Sequence, residues 1–318
     1  MARRLPHPAL VFMVVAWGLN FSVIKVAYGE VAPAAVGLTR YLFMAPLLVA
    51  WCLAAKQSLK YPPGMFWRLN LAGFVGSGAY MVLFLEGMRT APAAIGAIAL
   101  ATAPIMATAL SVGLKQERFT WKLVIGSLIG FLGVAICVLG GEHKAGGELT
   151  GALLVVGSAA LWAVSIVLYR PILGKIEPLR TLTLSFPGAL LALVPYGWAA
   201  TIHTDWSKVS PTGYGALAYL VVVAGVLAFA AYYRALKDVG PARTSLAQYF
   251  VPPTAAVFAV FLLDDKIDWR EMVGLGVVIA GVATAVWKAP APISEGTGTD
   301  RSAPEIPQSL CASCPQEG

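Results

Sequence analysis

Two stretches decide how this chain is built: "KQERFTWKLVIGSLIGFLGVAICVL" at 115–139 and "LDDKIDWREMVGLGVVIAGVATAVW" at 263–287. At an offset of 148, Glu117 meets Asp265, Trp121 meets Trp269, Gly126 meets Gly274 and Gly133 meets Gly281. The same offset pairs Pro104 with Pro252 and Arg89 with Lys237. At an offset of 145, Trp17 falls opposite Trp162 and Asn20 opposite Ser165. One unit has been written twice.

The solvent of that unit follows from composition. The chain has 318 residues, of which 58% are hydrophobic and only 12% charged. A soluble domain carries about 25% charged residues, so this chain cannot cover itself with solvated groups, and a lipid bilayer suits it instead. Its net charge of +7 forms no basic stripe interleaved with aromatics, which argues against nucleic acid as a partner. Two of its four cysteines, Cys52 and Cys137, lie inside apolar runs, so a secreted disulfide framework is not expected. Cys311 and Cys314 have C-x-x-C spacing but stand alone in a polar tail.

A membrane-crossing helix needs about 20 mainly apolar residues. Ten segments qualify: 8–28, 33–55, 69–88, 91–114, 120–140, 149–170, 178–200, 212–234, 240–263 and 269–288. Arg3 and Arg4 with the first apolar run resemble a signal peptide, but no small-residue cleavage site follows, so a retained first helix is expected. With the N-terminus in the cytoplasm, 16 basic residues fall on the inside and 5 on the outside, with Lys25 and Arg40 within spans. That bias predicts that both termini are cytoplasmic. Residues 289–318, rich in Pro, Ser, Gly and Thr, read as a disordered cytoplasmic tail.

Each repeat holds five spans, an odd number, so the second must enter the membrane from the opposite side. The expected fold is therefore all-α, with ten transmembrane helices forming two inverted five-helix repeats, 8–140 and 149–288, around a central cavity. Secondary transporters use this device and bind substrate near the midplane where the halves meet.

Specific residues carry a family resemblance as well. "WGLNFSVIK" in the first span, "LTRYLF" in the second, "ATAP" in the fourth and the 115–134 run are similar to the first repeat of the EamA family in the drug/metabolite transporter superfamily. Residues 149–288 resemble the second. The resemblance implies a multi-pass plasma-membrane (bacterial inner-membrane) protein that exports or exchanges small metabolites such as amino acids. It implies no cofactor and no catalytic residue. Its partners would be a small-molecule substrate, the lipid bilayer, and a coupling proton or counter-substrate.

Candidate site residues follow from polarity within spans. An ionisable group there is costly and marks function by default. Lys25, Arg40 and Glu86 all fall in the outer third of the first repeat, as a gate or coupling group, with Glu86 as an ion-pair partner for one of the two bases. A structural salt bridge, or Lys25 reaching towards the interface, would explain them equally. Trp17 and Asn20 share a helical face, and Trp162 and Ser165 repeat it, so these four are pathway candidates. Tyr80, Tyr232, Gln248 and Tyr249 are further candidates, set against the interface-anchor role common for tyrosine. Pro104 and the Pro252–Pro253 pair interrupt the fourth and ninth spans at matching positions, as hinges or as static kinks. The repeat glycines read as close helix packing.

The rival reading is a membrane-embedded enzyme acting on a lipid or prenyl substrate. "DDKID" at 264–268 spells the D-D-x-x-D pattern that holds magnesium on a diphosphate. It occurs once, and the matching stretch "QERFT" lacks the cluster, so a polar turn is the expected reading. No Walker A motif, H-E-x-x-H motif or intramembrane histidine occurs, so neither ATP hydrolysis nor a metal site is expected.

Overall fold

A computed structural model describes residues 7–114, 147–239, 247–264 and 269–286, with scattered positions between 121 and 136. The tail from 287 onward, the cysteine pair within it and residues 265–268 of the acidic cluster lie outside the described residues. Every regular element among the described residues is helical.

Six helices are long and apolar enough to cross a membrane. They are α1 (Pro8–Tyr28), α2 (Pro33–Ala54), α3 (Phe66–Thr90), α6 (Gly147–Leu173), α7 (Pro178–His203) and α8, whose spanning part is Pro211–Tyr232 and which runs on through Ala228–Val239. The fourth span comes in two pieces, α4 (Ala93–Leu100) and α5 (Ala103–Gly113). The chain closes with α9 (Val251–Leu263) and α10 (Trp269–Val286). Proline stands in the first two positions of α1, α2, α5, α7, α8 and α9. Its missing N–H is not needed there and its fixed φ suits a helix start. Large apolar side chains such as Phe43, Trp67, Leu191, Trp198 and Phe261 remain exposed, as the lipid-facing side of a bundle requires.

The repeat is visible in the packing. The first helix of each half packs against the third and fourth spans of the other half: α1 lies on α8 and α9, and α6 lies on α3, α4 and α5. The second helices, α2 and α7, lie against each other, with Tyr41 stacked on Phe186 at 5.1 Å. Exchanging the halves maps this set of contacts onto itself. Two departures from regular helix repeat as well. π-Helical turns occupy Phe74–Ala79 in α3 and Tyr219–Leu227 in α8, at overlapping repeat positions. The breaks at Ala101–Thr102 and Tyr249–Phe250 match at the 148 offset.

Two close approaches fix the crossings. A Cβ on Gly133 would stand 2.6 Å from the Val278 backbone nitrogen, and one on Gly281 would stand 2.4 Å from that of Gly130. The fifth and tenth spans therefore meet backbone to backbone. A Cβ on Gly76 in α3 would stand 2.2 Å from the Ser165 Cβ of α6.

Candidate functional site

α1, α3, α4, α6, α8 and the start of α9 surround a cavity of about 90 Å³. Trp17, Asn20 and Phe21 reach it from α1, Arg40 from α2, Tyr80, Met81 and Phe84 from α3, Trp162 from α6 and Phe229 from α8. Ala97, Leu100, Ala101, Ala103, Gln248, Val251 and Pro252 complete the wall. Both helix breaks thus face the same space, and α5 and α9 each begin at its edge. Irregular backbone at membrane depth is tolerated where it lines a cavity of this kind.

Six aromatic residues line the wall and, with Tyr232 behind them, form one connected arc. Tyr232 lies 5.5 Å from Trp17, Trp17 5.3 Å from Phe229, and Phe229 6.4 Å from Trp162. Trp162 lies 5.2 Å from Tyr80, Tyr80 stacks on Phe84 at 5.9 Å, and Phe84 meets Phe21 at 5.7 Å. These spacings fall in the range of favourable ring pairs. The arc is pinned where α1 crosses the π-helical part of α8. Trp17 Nε1 donates to the Ala224 carbonyl at 3.2 Å, and the Tyr219 hydroxyl donates to the Ala16 carbonyl at 2.8 Å.

The polar groups are few. Arg40 is 4% exposed. Its Nη1 donates to Asn20 Oδ1 at 3.4 Å, a long contact, and its Nε has no partner among the described residues. Among the described residues no carboxylate lies within ion-pair distance of it. Gln248 shares a hydrogen bond with the Tyr232 phenol.

The structure brings together Trp17, Asn20, Arg40, Tyr80, Trp162, Gln248 and Pro252, drawn from both repeats. It places the other candidates elsewhere. Ser165 is buried behind Trp162, its hydroxyl bonded to the Trp162 carbonyl at 2.7 Å, because its helix packs against Gly76 there. Tyr232 backs Trp17 from outside the lining. Tyr249 is buried among Ile95, Ile98 and Leu275. Pro104 and Pro252 sit at helix starts rather than as kinks within a helix. Pro253 is only partly buried and is not part of the lining.

Of the two bases expected to pair with Glu86, Lys25 or Arg40, Arg40 does not. The Glu86 carboxylate accepts from the Tyr196 hydroxyl of α7 at 2.6 Å and lies 3.8 Å from Arg89. Arg40 points into the cavity instead, and Lys25 is half-buried outside it. Asp264 of the acidic cluster caps the C-terminus of α9 in a left-handed conformation, φ 51°. Phe21, Phe84, Met81 and Phe229 are lining residues that sequence reasoning passed over. The repeat held a signal for two of them, since Met81 and Phe229 match at the 148 offset.

A second contact joins the halves at the far end of α1. In the short turn between α1 and α2, Glu30 Oε2 accepts from the Ser210 backbone N–H at 2.5 Å, and its Oε1 accepts from the Ser210 hydroxyl at 2.6 Å. Ser210 is the N-cap of α8 and also accepts from the Gly213 N–H at 3.1 Å. These donors hold the Glu30 carboxyl below the usual carboxylate range. At the opposite end, the Tyr61 hydroxyl donates to the Leu184 carbonyl at 2.8 Å, and Arg180 donates to the Lys60 carbonyl at 2.5 Å. Among the described residues, both ends of the bundle thus carry side-chain bonds between the halves.

The model of the EamA-like transporter family matches residues 7–139 and again 149–287. An uncharacterized transporter of Archaeoglobus fulgidus is 27% identical, over 87% of this chain and 95% of its own. A probable terminal-alkyne amino-acid exporter of Streptantibioticus cattleyicolor is 26% identical, over 86% and 91% respectively. A probable amino-acid metabolite efflux pump of Escherichia coli K12 is 24% identical, over 85% and 91%. A solved crystal structure superimposes with a TM-score of 0.64 at 19% identity, over 88% of this chain and 96% of that one.

Proposed function

This chain belongs to the EamA-like transporter family, and from that premise we propose that it exports a small metabolite, an amino acid or a related compound, by alternating access. It works as a secondary transporter without catalytic residues, in a plasma membrane, with both termini in the cytoplasm. The observation that carries this reading is the central cavity. It is bounded by residues of both repeats, and both broken helices open onto it. That is where an inverted-repeat transporter places its substrate.

The packing suggests which surfaces move. The first repeat rocks against the second, so the surfaces that slide are those of α1 on α8 and α9 and of α6 on α3, α4 and α5. The Glu30–Ser210 contact closes one end, which the basic-residue bias makes the outer one. The relatives named as exporters of amino acids and their metabolites support the substrate class and direction.

A lock tests the mechanism. Cysteines placed at Glu30 and Ser210, bridged by a short thiol crosslinker, should stop flux in proteoliposomes, and cleaving the bridge should restore it. Unchanged flux with the bridge fully formed would overturn alternating access at this end. Turnover of a substrate by detergent-solubilised protein, with no vesicle, would instead favour an enzyme.

A further inference from the structure

We propose that Arg40 is the docking point for a substrate carboxylate, and that the cavity selects small carboxylates with a compact apolar body, whether or not they carry an amine. This deepens the transport reading and rests on it.

The starting point is an unbalanced charge. Arg40 is buried, with one long bond to Asn20, four tyrosines (Tyr28, Tyr41, Tyr80 and Tyr219) near it, and no described carboxylate beside it. A buried cation without a counter-charge is costly. Its Nε is buried without a partner among the described residues, and the residue lines the cavity. A planar guanidinium with free donors matches a carboxylate by two parallel hydrogen bonds. The second observation is independent of Arg40. α5 and α9 both start at the cavity wall, at Ala103 and Val251. The dipoles of these helices add positive potential at the wall, while Pro104, Pro252 and Pro253 carry no N–H, so the hydrogen-bond donors for an anion come from Arg40.

The remainder of the wall specifies the rest of the ligand. Trp17, Tyr80, Phe84, Trp162 and Phe229 offer ring faces to an apolar body. Among the described residues the lining holds no acidic side chain, so a substrate ammonium has the ring faces of the wall to offset its desolvation and is tolerated rather than selected. The size is bounded too. A dry cavity of 150 Å³ takes a benzene ring, and this one measures about 90 Å³, so a body of a few carbons is favoured.

The test uses four probes of one shape on the full chain in nanodiscs, with ligand-induced thermal shift as readout: isovalerate, valine, valinamide and isoamylamine. Isovalerate and valine should bind alike. Valinamide and isoamylamine should bind at least about tenfold more weakly, the scale of one lost charge-assisted bond. Arg40→Gln should abolish that preference, by weakening isovalerate and valine and by relieving valinamide and isoamylamine of the repulsion between ammonium and guanidinium. Arg40→Lys, which keeps the charge but not the fork, should fall between. Equal binding of all four probes, no binding of any, or an intact carboxylate preference in folded Arg40→Gln would overturn the proposal. Valine counterflow in proteoliposomes separates the two readings. Carboxylate-selective binding without flux removes the transport reading and leaves the anion site. Flux indifferent to the carboxylate removes the site and leaves transport.

Discussion

Replacing Gly76 by alanine probes the crossing that sets the cavity wall. The new Cβ would stand 2.2 Å from the Ser165 Cβ and 2.6 Å from its Oγ. Ordinary contact begins near 3.4 Å, so α3 and α6 must part by about 1.2 Å along that line. Ser165 cannot swing aside, because its Cβ is fixed to the backbone and its hydroxyl is tied to the Trp162 carbonyl. Overpacking of this kind costs roughly 1–3 kcal/mol. Alanine also offers a helix-propensity gain of about 1 kcal/mol over glycine, which must be subtracted. Gly215→Ala supplies the reference, since nothing lies within 4 Å of that position, and it takes the propensity gain alone. The expected difference in stability between the two variants is therefore about 1–3 kcal/mol, read from denaturant unfolding of purified protein in one detergent. Adding Ser165→Gly to Gly76→Ala moves the single Cβ to the other helix and should recover much of the loss. If Gly76→Ala matched Gly215→Ala, the two helices would not approach as described and the repeat packing would be wrong.

Two further outcomes are expected. Trp17→Phe loses the bond to the Ala224 carbonyl while keeping the ring contacts, and should lower stability by about 0.5–1.5 kcal/mol; Trp162→Phe, whose indole has no described hydrogen-bond partner, should lower it less, and equal losses would remove the role given to the α1–α8 bond. The Glu30 carboxyl, depressed by its bonds from Ser210, should stay ionised below the usual carboxylate range; because its folded pKa lies below its unfolded one, the contact is present above the unfolded pKa and weakens only as pH falls through the folded value. Ser210→Ala should raise the Glu30 pKa towards normal in a carboxylate NMR titration, and an unmoved value would show that the side-chain bond does not hold it.

The fold was legible because it rests on two signals that survive in sequence. Apolar run length marks spans, and the glycine, proline and tryptophan offsets mark the repeat. The site was partly legible for the same reason. Asn20, Trp17 and Trp162 stand out as polar or large residues at matching positions, and all three reach the cavity or its edge. Ser165 matched Asn20 by offset yet faces Gly76, because an offset carries no rotation about the helix axis and the π-helical turns shift the register of the facing helices. Glu86 looked like an ion-pair partner for Lys25 or Arg40 because all three lie in the outer part of one half, yet the hydroxyl that bonds Glu86 is elsewhere. The actual partner, Tyr196, comes from the other half at 110 positions' distance, where no local pattern points. Phe84 and Phe229 were hidden as two phenylalanines among 13.

The exchange of first helices between the halves also bears on how the protein is made. A chain leaving the ribosome presents α1 long before α8 and α9, the helices it packs against. Until α8 has been inserted, the side of α1 bearing Trp17 lacks Ala224, Phe229 and Tyr232, and until α9 follows, Gly18 lacks Thr254; lipid or the insertion machinery must shelter that side. The first half therefore cannot mature as a finished domain. The closing of α1 into its place is one of the last steps of assembly, and the central cavity comes into being only then.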